Sequence, residues 1–209
     1  MLVHLYYGEG KGKSTAAAGL ALRALSAGFR VYIVRFLKGG GSESGEVGLL
    51  RQCGAKIVDG KTTGKFTFQM SESEKEETRL RQDGLLAEFL PEESSTGEES
   101  ERLALEEVNA GEESDRCALE EVNIGEESNS GKVPELLVLD EALAAVNYGM
   151  LSEELLKQVV MKRPENREIV LTGRDPKRWM LEEADYITEF RCKRHPYEKG
   201  IQARRGIEL

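Results

Sequence analysis

The stretch that decides the fold is YYGEGKGKST, residues 6–15. It ends in Gly12-Lys13-Ser14, the tail of a phosphate-binding loop whose full pattern is a glycine, four residues and then Gly-Lys-Ser/Thr. The first glycine of that pattern falls at position 7, where this chain has tyrosine. The alternative to a phosphate loop is a glycine-rich turn into a core helix. The elements on either side decide between the two.

Strands and helices alternate around this stretch. Short apolar, β-prone runs predict strands at 2–7, 30–36, 55–59, 135–140, 167–173 and 185–192. Helical patterns lie at 14–27, 71–89, 152–162 and 175–184, with a Ser71–Glu74 capping box and a proline at the start of the last. Near-continuous apolar strands alternating with helices predict an α/β fold, a parallel sheet covered on both faces.

The composition is that of one globular domain. A chain of 209 residues, 39% hydrophobic and 32% charged, fits a single domain over 1–209. No apolar run reaches the roughly 20 residues that span a bilayer, and the N-terminus lacks the features of a signal peptide. Cys53, Cys117 and Cys192 are far apart and odd in number, which argues against a disulfide framework or a zinc cluster. We expect a cytoplasmic, reduced protein.

The negative charge is concentrated in one segment. The net charge is −9, but residues 92–128 hold 14 acidic and two basic residues, so the rest of the chain carries +3. Within this segment ERLALEEVNAGEES (101–114) and DRCALEEVNIGEES (115–128) agree at 11 of 14 positions. Solenoid units run about 20 residues or more, so we interpret the pair as a local duplication. We expect a solvated, partly helical and passive insert at about 92–131, which does not exclude a phosphate-rich ligand elsewhere.

The context of the opening stretch favours a working phosphate loop. Gly8, Gly10 and Gly12 follow a predicted strand, and a predicted helix begins next to Lys13. Glycines let backbone N–H groups converge on an anion, and the helix N-terminus adds its dipole. Lys13 is predicted to reach the outer phosphates, Ser14 to bind Mg²⁺ (or Mn²⁺), and Lys11 to add a second cation.

The strand in LLVLDE (136–141) supplies the acidic partner of such a loop. An acid at the C-terminal edge of a buried strand is the Walker B pattern, which predicts that Asp140 holds Mg²⁺ directly or through water. Capping of the next helix is the alternative role of Asp140. Together, the two motifs predict binding of ATP or GTP with Mg²⁺.

The segment GEGKGKSTAAAGLALRALSAG (8–28) closely resembles the phosphate-loop helix of the ATP:corrinoid adenosyltransferases of the cobalamin pathway. Those proteins share the variant loop that lacks the first glycine. The resemblance continues through VRFLKG (34–39), KFTF (65–68), LLVLDE (136–141), VNYGML (146–151), LTGR (171–174) and RHPYEKGIQARRGIEL (194–209). It covers most of the chain outside the acidic repeat, and it implies a RecA-like P-loop fold with a mostly parallel sheet.

The resemblance implies an unusual use of the phosphate loop. Co(I) of a reduced corrinoid attacks C5′ of ATP and expels the whole triphosphate, so no catalytic base is required. The matching positions suggest that ATP is bound by the loop and by three residues outside it. The nucleotide-binding set is Gly8, Glu9, Gly10, Lys11, Gly12, Lys13, Ser14, Thr15, Arg23, Glu141 and Arg174. Arg23 could equally be an ordinary surface residue of its helix.

The resemblance also implies an aromatic wedge that removes the axial ligand of Co(II) and eases its reduction. The matching residues are Phe66 and Phe68; the family commonly has Trp at the second position, so Phe68 offers a smaller face and no N–H. Simple core packing of both rings is the alternative. The chain also begins directly at its first strand and ends in GIEL where the family tends to end in Tyr. These departures are expected to affect substrate enclosure and activity.

Further expectations concern histidines and partners. His195 matches a family position but is expected to be packed or hydrogen-bonded rather than a cobalt ligand, and His4 is expected to be structural. With no flavin or iron–sulfur motif, the electron is expected from a separate donor such as a reduced flavoprotein. The resemblance implies a homodimer; no nucleic acid and no membrane are expected as partners.

Three functions compete at this stage. The main hypothesis is a transferase that adenosylates cob(I)alamin or cob(I)yrinic acid a,c-diamide. A phosphohydrolase or kinase of the same architecture would instead produce ADP. A catalytically impaired homologue would bind nucleotide or corrinoid without forming a Co–C bond.

Overall fold

The centre of the molecule is a six-stranded, fully parallel sheet. The computed structural model describes residues 1–38, 45–60, 63–65, 67–91, 132–204 and 206–207, with only the backbone of residue 68. The strands are β1 (Val3–Tyr7), β2 (Arg30–Arg35), β3 (Lys56–Asp59), β4 (Glu135–Asp140), β5 (Arg167–Gly173) and β6 (Tyr186–Glu189). They are arranged β3-β2-β4-β5-β1-β6, and every pairing is parallel. The predicted α/β fold is confirmed.

Helices flank this sheet. They are α1 (Lys13–Ser26), α2 (Gly45–Gln52), α3 (Glu72–Ala87), α4 (Ala142–Asn147), α5 (Glu153–Met161) and α6 (Arg178–Glu183), with 3₁₀ turns at Thr67–Gln69 and Pro196–Lys199. Among the described residues, no helix combines the length and apolarity needed to cross a membrane. The predicted insert at about 92–131 lies outside the described residues.

The helix predicted at 175–184 is shorter than the pattern indicated. Asp175 has a φ of +51°, and the helix begins only at Arg178 because Lys177 is extended. The ring of Pro176 disfavours helical backbone at the residue before it, so the chain turns once more before the helix starts. That extra turn keeps Asp175 and Pro176 at the carboxyl edge of the sheet.

The two faces of the sheet bury separate apolar clusters. The small residues Ala17, Ala21 and Ala24 of α1 pack on one face against Val31, Ile33 and Val138, among others. The other face is covered by α3, α4 and α5 over a larger cluster that includes Leu5, Phe36, Leu139 and Leu156. All six residues of β4 are buried, as expected for a strand with helices on both sides.

The predicted capping box of α3 is confirmed. The Ser71 side chain accepts from the Glu74 amide, and the Ser71 amide donates to the Glu74 carboxylate at 2.8 Å. Lys65 Nζ lies 2.5 Å from the same carboxylate. Hydrogen bonds from Lys65 and from the Ser71 amide lower the pKa of Glu74 to about 2. These contacts fix the chain entering α3 directly after the Thr67–Gln69 turn.

Candidate functional site

The phosphate loop is the link between β1 and α1. Tyr7 is the last residue of β1, paired with Gly173 on one side and Glu189 on the other. Position 7 is therefore part of strand β1. In the usual pattern the turn starts at the first glycine, whereas in this chain it starts at Gly8. Gly8 and Gly12 have φ values of +113° and +112°, in the region that favours glycine.

A segment following β6 lies directly on this loop. Phe190 N donates to Tyr7 O at 2.7 Å, and Gly10 N donates to Phe190 O at 2.6 Å. A Cβ on Gly8 would lie 2.5 Å from Phe190 O, and a Cβ on Gly10 would lie 2.7–2.9 Å from backbone atoms of Phe190 and Arg191. Real Cβ atoms do not approach backbone so closely. Both positions therefore require glycine for packing against residues 190–191, whether or not a ligand is bound.

Two of the loop amides have acceptors within the protein. The sequence suggested that the backbone N–H groups of residues 8–13 converge on phosphate. In the structure the Gly8 amide donates to Gly173 O at 3.2 Å and the Gly10 amide to Phe190 O. The remaining donors for an anion are the other loop amides and the first turn of α1, where N–H groups have no intrahelical acceptor.

Lys13 is held inside the loop. Its Nζ donates to Gly8 O at 2.7 Å and to Gly10 O at 3.0 Å, and the residue is only 7% exposed. An ammonium at a helix N-terminus opposes the helix dipole, and these carbonyls offset that repulsion. The charge is therefore fixed at the centre of the loop, where an incoming phosphate would meet it.

The two predicted magnesium ligands meet at the start of α1. Ser14 Oγ donates to Asp140 Oδ1 at 2.7 Å, and Asp140 is 5% exposed at the end of β4. Thr172 Oγ1 donates to the same carboxylate oxygen at 2.7 Å and accepts from the Glu141 amide at 2.9 Å. Thr172 was not predicted; the available signal was one hydroxyl in an otherwise apolar strand run, IVLTG.

The chemistry of these side chains fits Mg²⁺. A carboxylate and a hydroxyl are hard oxygen donors, the ligand type that magnesium prefers. Within the described residues, no group of three or more His, Cys, Asp or Glu side chains could hold a metal by itself. Magnesium usually takes one or two protein ligands and completes its shell with phosphate oxygens and water. Ser14 and Asp140 supply that small number.

Glu141 adopts a strained conformation beside the Ser14–Asp140 pair. Its φ of +58° is uncommon for a residue with a side chain and costs on the order of 1 kcal/mol or more. Burial, and next the Asp140 charge, raise the pKa of Glu141; Lys13, Lys38 and Arg174 act in the opposite direction. The Glu141 carboxyl therefore lies within the electrostatic reach of the loop cations, where a nucleotide contact is predicted.

Arg174 reaches the loop through Glu9. The Arg174 guanidinium forms an ion pair with the Glu9 carboxylate, and both side chains are more than half exposed. Asn147 donates to the carbonyls of Arg174 and Asp175, which ties the end of β5 to α4. Glu9 puts a negative charge on a loop expected to bind phosphate, and Arg174 compensates it.

Arg23 is not brought to the loop. It lies in the last turn of α1, ten residues after Lys13, which is about 15 Å along the helix axis. Its side chain is exposed and lies near Tyr6, whose pKa is raised by burial and partly lowered again by the Arg23 charge. Lys11 and Thr15 are exposed beside the loop. The proposed role of Arg23 in nucleotide binding stays a prediction.

The aromatic wedge cannot be placed. Phe66 lies outside the described residues, and Phe68 is described only by its backbone in the 3₁₀ turn Thr67–Gln69. His195 precedes the second 3₁₀ turn and accepts from the Tyr197 amide through Nδ1 at 3.2 Å. His4 pairs with Glu168 at 2.8 Å and stacks on Tyr186. Both histidines make the structural contacts that were expected.

A partly buried ion pair that was not predicted lies beside Ser14 and Asp140. Arg35 is the cross-strand neighbour of both Asp59 and Asp140. Its guanidinium donates to the two Asp59 carboxylate oxygens at 2.7 and 2.8 Å, and its side chain is 9% exposed. The only sequence signal was the arginine that ends the otherwise apolar run VYIVR.

Two adjoining cavities open beside the loop. The smaller, about 370 Å³, lies between the loop, Asp175 and the segment 189–193. The larger, about 810 Å³, lies between Lys11 and the segment 191–203. Arg191, Cys192 and Lys193 line both cavities. The phosphate loop therefore borders a space large enough for a ligand that extends beyond the triphosphate.

Comparison with known proteins matches the chain to one family. The family model described as ATP:corrinoid adenosyltransferase BtuR/CobO/CobP matches residues 1–209. The chain is 27% identical over 209 residues to a corrinoid adenosyltransferase of Pseudomonas aeruginosa, covering 100% of this chain and 83% of that protein. It is 28% identical over 207 residues to the corrinoid adenosyltransferase of Escherichia coli, covering 99% and 85%. Corrinoid adenosyltransferase CobA of Salmonella typhimurium is 27% identical over 207 residues, with the same coverage.

Proposed function

The chain belongs to the ATP:corrinoid adenosyltransferase family, and we propose that it transfers the 5′-deoxyadenosyl group of ATP to Co(I) of a reduced corrinoid in adenosylcobalamin synthesis or salvage. In this step a Co–C5′ bond forms with the cobalt electron pair. The C5′–O bond breaks, and its electron pair leaves with the intact triphosphate. No proton is transferred, so the site needs no general base.

The observation that carries the proposal is that Lys13 and Ser14, at the start of α1, lie together with Asp140, at the end of β4, beside one loop. Negative charge develops on the departing triphosphate, and fixed cations and N–H groups stabilise that charge without reorganising. Lys13 is buried at the loop centre, and the first turn of α1 adds its dipole and amides. The same groups orient the triphosphate and so position C5′ for attack.

Ser14 and Asp140 would hold a magnesium ion. When bound, that ion would neutralise part of the triphosphate charge. Thr172 orients Asp140 by donating to its Oδ1, and the same hydroxyl accepts from the Glu141 amide. We propose that Glu141 and Arg174 contact the nucleotide, Arg174 by exchanging its Glu9 partner for a phosphate oxygen.

The corrinoid half of the reaction is assigned by family resemblance. We propose Phe66 and Phe68 as the wedge that displaces the axial ligand of cobalt, and a separate reductant, such as a reduced flavoprotein, as the electron source. The two adjoining cavities support corrinoid access because together they leave room beside the loop for a ligand that extends beyond the triphosphate. A homodimer is proposed on the same family grounds.

The direct test is anaerobic incubation with chemically reduced cobalamin and Mg-ATP, following the corrinoid spectrum. We expect loss of the Co(I) spectrum and appearance of a light-sensitive alkylcobalamin in the wild type. In Lys13→Ala, which removes the buried ammonium, we expect no turnover. Lys162→Ala, an exposed lysine at the opposite edge of the sheet, is the matched control and should react normally. If the wild type binds ATP but never forms the alkylcobalamin, the proposed transfer is wrong.

A further inference from the structure

We propose that Lys193 and Arg194, together with Lys11, form a second cationic wall that holds the triphosphate from the side opposite the helix N-terminus. This inference rests on the proposed function, because it assumes that the triphosphate occupies the phosphate loop. It assigns leaving-group binding to residues outside the loop and its helix.

The segment that carries these cations is fixed to the loop by its own backbone. Phe190 bonds to both Tyr7 and Gly10, at 2.7 and 2.6 Å. The Phe190 ring lies 3.5 Å from the position of a Cβ on Gly12. Three glycines of one short loop therefore contact residues 190–191. Lys193 and Arg194 follow directly after this backbone segment, which is packed on the loop.

The charge around the larger cavity favours an anion. Lys11, Arg191, Lys193 and Arg194 line it together with His195, and no acidic side chain of the described residues is among its lining. Arg191 is already paired with Glu189 at 2.6 Å, which holds the pKa of Glu189 below its usual value. The contribution of Lys193 and Arg194 to anion binding can therefore be measured by substitution without breaking the Arg191–Glu189 ion pair.

The other described residues of the lining carry no negative charge. Pro196, Tyr197 and Ile201 put apolar surface on the far side of the cavity. The triphosphate is the more fitting anion because Lys11 belongs to both the phosphate loop and the cavity. Carboxylate arms of a corrinoid are the competing occupant.

In this proposal the triphosphate is bound from two sides. Lys13 and the first turn of α1 bind it from within the loop, while Lys193 and Arg194 hold it from the carboxyl edge of β6. Cations on this side stabilise the triphosphate as it departs, and they also retain it as product. Loss of the wall is therefore expected to weaken product inhibition by triphosphate as well as ATP binding.

The test is calorimetric titration of the full chain with inorganic tripolyphosphate and Mg²⁺. Lys193→Ala/Arg194→Ala is expected to weaken binding by roughly 5- to 30-fold, from two exposed charge contacts of modest strength each. The difference from wild type should shrink at high salt, because exposed charges are screened. The control, Lys132→Ala/Lys162→Ala, removes two exposed lysines that precede β4 and β5 at the opposite edge, and should bind as wild type does.

Two results would overturn the proposal that Lys193 and Arg194 hold the triphosphate. One is a double variant that binds tripolyphosphate with wild-type affinity. The other is a double variant that loses affinity only for a carboxylate-bearing corrinoid, which would assign the cavity to that substrate instead. A Lys13→Ala arm separates these failures from failure of the proposed function. If Lys13→Ala bound tripolyphosphate as tightly as wild type, the phosphate loop itself would be misassigned.

Discussion

Substituting Gly10 by alanine separates the phosphate loop from the segment that follows β6. The new Cβ would lie 2.7, 2.8 and 2.9 Å from backbone atoms of Phe190 and Arg191. Ordinary contact begins at 3.4 Å, so the two backbones must part by more than half an ångström. Neither neighbour is the flexible end of a side chain, so the backbone itself must move.

The size of the effect follows from these contacts. Overpacking of this kind costs about 1–3 kcal/mol, and loss of the 2.6 Å bond from Gly10 N to Phe190 O costs about 1 kcal/mol more. The total, roughly 2–4 kcal/mol, corresponds to a fall of about 5–15 °C in Tm for a domain of this length. Thermal unfolding by circular dichroism, with and without tripolyphosphate, measures it.

Gly19→Ala is the matched control. Gly19 is exposed in α1, and nothing lies within 4 Å of the position of its Cβ. Replacing a helical glycine with alanine should stabilise the fold by roughly 0.5–1 kcal/mol. The reasoning is refuted if Gly10→Ala melts within a degree of wild type, or if both alanine variants shift Tm in the same direction.

Further predictions concern the magnesium pair, the acid stability and the repeat. Asp140→Asn keeps an acceptor but loses the charge, so the Mg²⁺ concentration for half-maximal turnover should rise at least about tenfold; an unchanged requirement would exclude Asp140 as a ligand. Thr172→Val leaves the Glu141 amide without its acceptor and should cost about 1–3 kcal/mol in urea unfolding; no loss would show that Thr172 does not orient the site. Because the pKa of Glu74 is lowered to about 2, its contribution is present above pH 4.5 and is lost as pH falls through about 2. Glu74→Gln should therefore lose less stability than wild type between pH 5 and 2, and equal acid sensitivity would contradict this. Deletion of 101–128 should leave turnover nearly intact, and its loss would show that the repeat is not passive.

Most of the regular elements were predictable because they have a local signal, whereas α2 and α4 were not predicted. Short apolar, β-prone runs located all six strands to within a few residues, and Ser71 and Glu74 marked the start of α3 by their spacing. α2 was missed because Gly45 and Gly48 are poor helix formers in a stretch of eight residues. Its stability comes from burying Val47 and Leu50, which is a tertiary effect.

The site was predictable in its motifs but not in its cross-chain contacts. The pattern of the loop and the acid ending β4 indicated Ser14 and Asp140, and the structure brings them to 2.7 Å. The position of Phe190 over the loop depends on β6 pairing beside β1, which no local pattern encodes. The same holds for Arg35, since its bond to Asp59 depends on the register of β2 and β3.

The measurement that tests the central claim most directly is phosphorus analysis of the products after anaerobic turnover with Mg-ATP and a reduced corrinoid. If the loop grips a triphosphate that departs whole, one triphosphate is released for each Co–C bond formed, and Lys13→Ala releases none. ADP and free phosphate as the primary products, with no alkylated corrinoid, would contradict the account and indicate a phosphohydrolase on the same fold.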